Sequence, residues 1–172
     1  DLEQVEVVKG ASSTLYGGGA IAGLINLVSK TPKETPETAL MLNATSAHGV
    51  DLSAFHSSEK DSQGVTLFAT YNRGAAYEPA DNGISAIPEF ERFTFTPRWF
   101  YSVSDKTNLD LGVGFITEDR LGGSIEYIDG ASPNDYFESN DSTRFYTRFG
   151  LAHVFDNDIE LDFKSATSWF DR

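Results

Sequence analysis

The sequence predicts a mostly β fold, and three observations point to an antiparallel barrel that spans a membrane. Stretches such as VTLFATYN and NLDLGVGFITE alternate apolar and polar residues with the period of two that puts them on opposite faces of a strand. These stretches reach about 10 to 13 residues, enough for a tilted strand to cross a bilayer, whereas globular strands run about 5 to 6. Short and long links alternate between them, as when tight turns lie on one side of a membrane and loops on the other. A β-sandwich would also alternate, so a soluble two-layer module remains open at this point.

Composition narrows the function classes. The chain has 172 residues, suiting one domain or a piece of a larger protein, and a formal net charge of -13. That charge argues against nucleic acid, because no basic stripe exists to displace counterions from phosphates. Cys is absent, which excludes disulfides and thiolate metal sites. No apolar run approaches the about 18 residues of a membrane-crossing helix, which says nothing about strands. The opening LEQVEVVKG and the closing SATSWFDR both read as strand interiors, so the chain is expected to be an excerpt of a longer polypeptide.

The first element is the segment from Lys9 to Lys30, with four glycines between Gly17 and Gly23. It is not a phosphate loop: Gly18 and Gly23 have the spacing of that motif, but Leu24 and Ile25 stand where Lys and Ser or Thr are required. The expected local structure is a short helix at about Ala11 to Tyr16, a tight glycine turn, and a strand through Leu24, Ile25, Leu27 and Val28 that stops at Lys30-Thr31-Pro32. Val5, Val7, Gly10, Ser13, Leu15, Tyr16, Gly17, Ala20, Gly23, Ile25, Asn26, Ser29 and Lys30 match a pattern found in the plug of TonB-dependent outer-membrane receptors. The chain therefore resembles that family. Two departures stand out: Lys9 where the family usually has Arg, and Ala11 where it usually has Pro. The family's Arg locks plug to barrel glutamates. Lys9 keeps the charge but lacks the bidentate fork, which puts that lock in doubt.

The resemblance implies an excerpt of a 22-stranded barrel with the end of an α+β plug inside it. Residues 1–33 would be the C-terminal part of the plug, and residues 34–172 the first seven or so strands of the wall. Lys9, Gly10, Tyr16, Gly17, Gly23 and Asn26 would serve the plug structurally. The implied function is active uptake of a scarce, bulky solute across the outer membrane of a Gram-negative bacterium, with an iron–siderophore foremost and cobalamin, haem or glycans as alternatives. Implied partners are outer-membrane lipid and lipopolysaccharide, the small-molecule or metal-chelate ligand, and the TonB complex. The family's TonB contact segment lies upstream of the part matched here.

The remaining elements follow the alternation. Strands are expected at about 37–47, 50–60, 64–73, 89–101, 107–119, 142–155 and 159–172. Val65, Leu67, Ala69 and Tyr71 share one face, as do Leu109, Leu111, Val113 and Phe115; Phe145, Phe149, Leu151 and Phe155; and Ile159, Leu161, Phe163 and Trp169. Phe68 breaks the pattern on a polar face. DSQG, SVSDK and DND are short links, while the links after the third and fifth strands are long. AHGV is short and fits less well. Tyr71, Trp99, Tyr101, Trp169 and Phe170 lie toward strand ends, as in an aromatic girdle.

Nothing in the sequence calls for an enzyme, a resident metal or a cofactor. His48, His56 and His153 lack metal spacing, no serine-nucleophile motif occurs, and Glu118/Asp119 and Asp156/Asp158 are expected at strand ends facing water. The loop from Leu121 to Thr143 holds Glu126, Asp129, Asp135, Glu138 and Asp141 without Lys or Arg, a composition that could hold calcium or sit among bridged lipopolysaccharide phosphates. Its Tyr127, Tyr136 and Phe137, with Tyr77 in the preceding long link, could stack on a ligand. The segment EDRLGG is similar to a strand-to-loop junction of the family, which makes Arg120 a candidate for an anionic ligand. A third architecture, a small closed adhesion-like barrel, needs an even strand count.

Overall fold

The computed structural model describes residues 1–10 and 23–172. They form two compact units, Asp1–Thr31 and Pro32–Arg172. The first unit is an antiparallel pair, β1 (Leu2–Lys9) with β2 (Gly23–Ser29). Lys9 lies opposite Gly23, and Glu6 opposite Asn26. The Asn26 side chain donates to the Glu6 carboxylate at 2.9 Å, tying the two strands across the pair. Gly23 has φ +138, and a Cβ there would lie 2.5 Å from the Val8 carbonyl oxygen, so only glycine fits. The expected helix at about Ala11 to Tyr16, together with Tyr16 and Gly17, falls outside the described residues.

The second unit is a seven-stranded antiparallel meander in sequence order. Its strands are β3 (Glu37–Ala44), β4 (Val50–Lys60), β5 (Gln63–Gly74), β6 (Glu89–Ser104), β7 (Thr107–Gly123), β8 (Phe137–Val154) and β9 (Glu160–Asp171). One four-residue helix, α1 (Ile125–Ile128), lies between β7 and β8. All seven expected strands are present. The turns β4–β5, β6–β7 and β8–β9 lie at one end of the sheet, and the two long links at the other. The β3–β4 turn sits at the long-link end, where the alternation of direction places it. There Thr45 Oγ1 accepts from the Gly49 N–H at 3.0 Å and His48 takes φ 58, so β3 ends at Ala44, short of the expected 47.

Three strands run further than their alternation suggests. β6 continues to Ser104, β7 to Gly123, and β8 begins at Phe137. Register stays continuous from Thr107↔His153 to Gly123↔Phe137. EDRLGG is therefore strand, and the loop that follows is shorter than 121–143. In β6 the ladder to β7 skips Thr96 and Pro97, because proline has no N–H to give, while the pairing to β5 is continuous.

Register assembles two chemically opposite faces. One cross-strand row reads Leu40, Ala54, Ala69, Phe95, Phe115, Phe145, Trp169, and another Val65, Trp99, Leu111, Phe149. The apolar face is uncovered: Leu40 is 80% exposed and Leu42 73%. Among the described residues Phe55 is the one buried large hydrophobe. It pairs with Phe68, so the apolar break in the polar rows is a local patch on that face. Among the described residues of this unit no second sheet covers Leu109, Leu111, Val113 and Phe115, against the β-sandwich reading. β3 does not pair with β9, which removes the small closed barrel among the described residues. Burying a large apolar side chain contributes about 1.5–3 kcal/mol, and here whole rows forgo it within this chain.

Two adjacent aromatics, Trp169 and Phe170, cannot share a face. Trp169 joins the apolar row beside Phe145, whereas Phe170 lies beside Arg144 on the polar face. Phe170 therefore leaves the expected girdle.

Candidate functional site

The polar face of the second unit carries the chemistry. Toward the short-turn end, Arg98 Nη2 and Arg148 Nη2 donate to the same Asp110 oxygen at 2.8 and 2.9 Å. Gly112 lies between the two arginines. A Cβ there would come 2.7 Å from Arg148 Cγ and 3.1 Å from Arg98 Cγ, so the glycine leaves room for both stems. The Arg98 guanidinium also covers the Phe100 ring at 4.6 Å.

Toward the long-link end the same face holds a second group. Asp51 accepts from Asn43 at 2.9 Å and from Asn72 at 2.7 Å. Glu118 accepts from both Arg92 and Arg120. The Arg144 guanidinium lies 5.2 Å from the centre of the Phe170 ring, and Arg172 Nε donates to Asn140 at 2.6 Å. Arg92, Glu118, Asn140, Arg144, Phe170 and Arg172 surround an open hollow of about 380 Å³. Larger hollows of about 480 and 630 Å³ lie on the apolar face, among Leu40, Leu52 and Tyr71 and among Leu67, Trp99 and Leu111. They are gaps between uncovered apolar side chains, the larger one also lined by Arg98, Thr147, Arg148 and Ser165.

The four candidate ligand residues do not form one cluster. Tyr127 and Phe137 stack, with centroids 4.2 Å apart and planes at 4°. Phe137 pairs with Gly123, in the row pattern of Leu121 and Asp119. Arg120 lies on the opposite, polar face with Glu118. Tyr136 donates its hydroxyl to Glu138. That hydrogen bond to a carboxylate raises the phenol above its ordinary range, with desolvation and the Glu138 charge adding in the same direction. Lys9 is exposed at the end of β1, and Gly10 has φ +95.

Other candidates resolve as local structure. Glu118 and Asp119 are neighbours on one strand, so they point to opposite faces, and they lie inside β7 rather than at its end. Thr38 Oγ1 lies 2.9 Å from His56 Nδ1, and Thr107 Oγ1 2.8 Å from His153 Nδ1. Among the described residues no three His, Asp or Glu side chains gather in a metal-holding arrangement. Asp135 accepts from the Ser124 hydroxyl at 3.0 Å, and Asp141 from Ser139 at 3.4 Å. Sequence reasoning passed over Arg92, Arg144, Phe170 and Arg172 as a group, because only the cross-strand register brings them together.

No family model matches the chain. It is 28% identical over 174 residues to the ferrioxamine B receptor of Salmonella typhimurium (strain SL1344), covering 91% of this chain and 24% of that protein. It is 26% identical over 121 residues to the ferrichrome outer membrane transporter/phage receptor of Escherichia coli (strain K12), covering 70% of this chain and 16% of the relative. Among solved structures, the siderophore receptor PiuA from Acinetobacter baumannii overlaps 99% of this chain and 35% of its own at 16% identity and TM-score 0.49, too loose an overlap to define a fold by itself. The chain thus spans about a quarter of the length of the curated relatives it matches most fully, 24% of the first. Those relatives are receptors and transporters rather than enzymes.

Proposed function

We propose that this chain, whose curated homologues are siderophore TonB-dependent receptors at modest identity over most of its length, is a piece of a receptor that takes up a ferric siderophore across the outer membrane of a Gram-negative bacterium. One observation carries the reading furthest: a single-layer, seven-stranded antiparallel sheet has one continuous apolar face and one charged face. Water on both sides would leave the apolar rows uncovered. Hydrocarbon on one side and an aqueous bore on the other satisfies both faces.

On this reading residues 34–172 supply the first seven strands of a 22-stranded wall, and residues 1–33 the end of the plug. The short turns face the periplasm, and the long links face outward among lipopolysaccharide. Tyr71 and Trp169 lie toward the outer rim, and Trp99 and Tyr101, stacked at 5.4 Å, toward the inner one. The free edges of β3 and β9 continue into the rest of the wall, because an unpaired strand edge is not tolerated in lipid. The bound chelate waits at the outer end of the bore until the TonB complex draws on the plug.

The test is growth under iron limitation of a strain lacking the full-length receptor, fed single ferric siderophores, with and without TonB. Restored growth only when both the receptor and TonB are present is the expected outcome. Uptake that persists without TonB, or no siderophore phenotype across the panel, contradicts the proposal.

A further inference from the structure

We propose that the hollow at the long-link end of the polar face takes a carboxylate-bearing arm of an anionic ferric chelate, an inference that rests on the siderophore reading above and names its substrate class. The wall of the hollow carries three guanidinium groups, from Arg92, Arg144 and Arg172, against one carboxylate, Glu118. That carboxylate is already shared between Arg92 and Arg120. Among the described residues Arg144 has an aromatic partner, Phe170, and no ion pair. Arg172 is held through Nε by the neutral Asn140, which leaves its terminal nitrogens for another acceptor.

This concentration runs against the composition of the chain, which has 26 acidic residues and 13 Lys and Arg. Grouped arginines facing a bore repel one another, and a bound anion removes that repulsion. Arginine suits a carboxylate because its planar fork offers two parallel N–H donors. Phe170 and Ile116 give the organic frame an apolar contact beside the charge, and Thr94 and Ser142 add short hydroxyls. The volume of about 380 Å³ is at the small end of ligand sites, suited to one arm of a chelate. A cationic or neutral trihydroxamate would leave the guanidinium groups without their counter-charge.

The experiment uses the detergent-solubilised full-length receptor and three probes: an anionic ferric complex of a citrate-based dihydroxamate, neutral ferrichrome, and cationic ferrioxamine B. Binding is followed by quenching of protein fluorescence at fixed ionic strength. The anionic chelate is expected to bind about tenfold or more tighter than the other two, the scale of one or two charge-assisted hydrogen bonds. The double variant Arg144→Gln/Arg172→Gln should erase that preference, and Arg144→Lys should keep part of it. Glu118→Gln should tighten the anionic chelate by a few-fold, a gain that loss of structure would not produce. Heat-modifiable gel migration identifies folded barrels, and only those are compared. Equal affinity for all three chelates, or undiminished anion binding in the folded double variant, overturns the proposal. If ferrichrome or ferrioxamine B is bound preferentially, the anionic class falls while siderophore uptake stands. If no ferric chelate binds, both fall.

Discussion

The two faces of the second unit are made by the same strands, residue by alternate residue, yet they solve opposite problems. On one, Leu40, Phe95, Phe115, Phe145 and Trp169 form rows with nothing of this chain against them. On the other, Asp51 and Asp110 each accept two hydrogen bonds from neighbouring strands, and Glu118 accepts from Arg92 on β6 and from Arg120 on its own strand. Neither face supplies a core of the ordinary kind. The sheet is held by its ladder and its polar cross-strand bonds, and it relies on the surrounding medium to cover its apolar side. A two-residue period therefore decides both stability and function here, and a one-residue slip would exchange the faces.

The comparison breaks most severely where a charge is moved between faces. In the full-length protein Phe115→Arg should cost about 2–4 kcal/mol if the proposed wall is correct, as for a charge near the middle of a lipid-facing strand. Ser168→Arg on the exposed polar face should cost less than about 0.5 kcal/mol. Urea titrations of barrels refolded into vesicles measure both. Equal costs would remove the distinction between the faces.

Next comes Asp110→Ala, which leaves Arg98 and Arg148 facing each other without their shared acceptor. Arg98 is 11% and Asp110 22% exposed, so a loss of about 1–3 kcal/mol is expected, below that of a fully buried pair. The same titration should show Arg148→Ala costing less, because Asp110 keeps Arg98. In the hairpin of the first unit, Gly23→Ala should cost about 1–2 kcal/mol through its left-handed backbone and the Val8 carbonyl, read as faster proteolysis near β2. The smallest effect is expected at the Lys106–Asp156 pair, which links the β6–β7 turn to the β8–β9 turn. Its nitrogen and oxygen lie 2.5 Å apart, but Asp156 is 98% exposed, and Lys106→Ala should shift stability by less than about 0.5 kcal/mol.

Strand number, order and face assignment were legible because β5, β7 and β9 alternate cleanly along most of their length. Strand ends were not. Where β7 and β8 rise past the apolar rows, Glu118, Asp119 and Arg120 stand opposite Ser142, Asp141 and Asn140, polar on both faces. A pattern reader loses the period there and assigns loop. The shift of Phe170 to the polar face follows from adjacency to Trp169 alone, and the sequence already contained it. The arginine hollow was hidden for a different reason. Arg92, Arg144 and Arg172 are far apart in sequence, and only the pairings Arg92↔Glu118, Glu118↔Ser142 and Arg144↔Phe170 bring them together. Arg120, singled out as an anionic-ligand candidate at a strand-to-loop junction, lies inside β7 on the polar face, while Tyr127 and Phe137 stack with each other on the other face.

Single-cysteine scanning of β9 from Leu161 to Ser168 tests the division of faces most directly, in the full-length protein freed of other cysteines and reconstituted in lipid. Each position carries a nitroxide label, read against a lipid-soluble and a water-soluble relaxant. Positions 161, 163, 165 and 167 are predicted to meet the lipid relaxant, and 162, 164, 166 and 168 the aqueous one. A profile without this alternation, or one in which the odd positions are shielded from lipid, would contradict a wall with hydrocarbon on one side and an aqueous bore on the other.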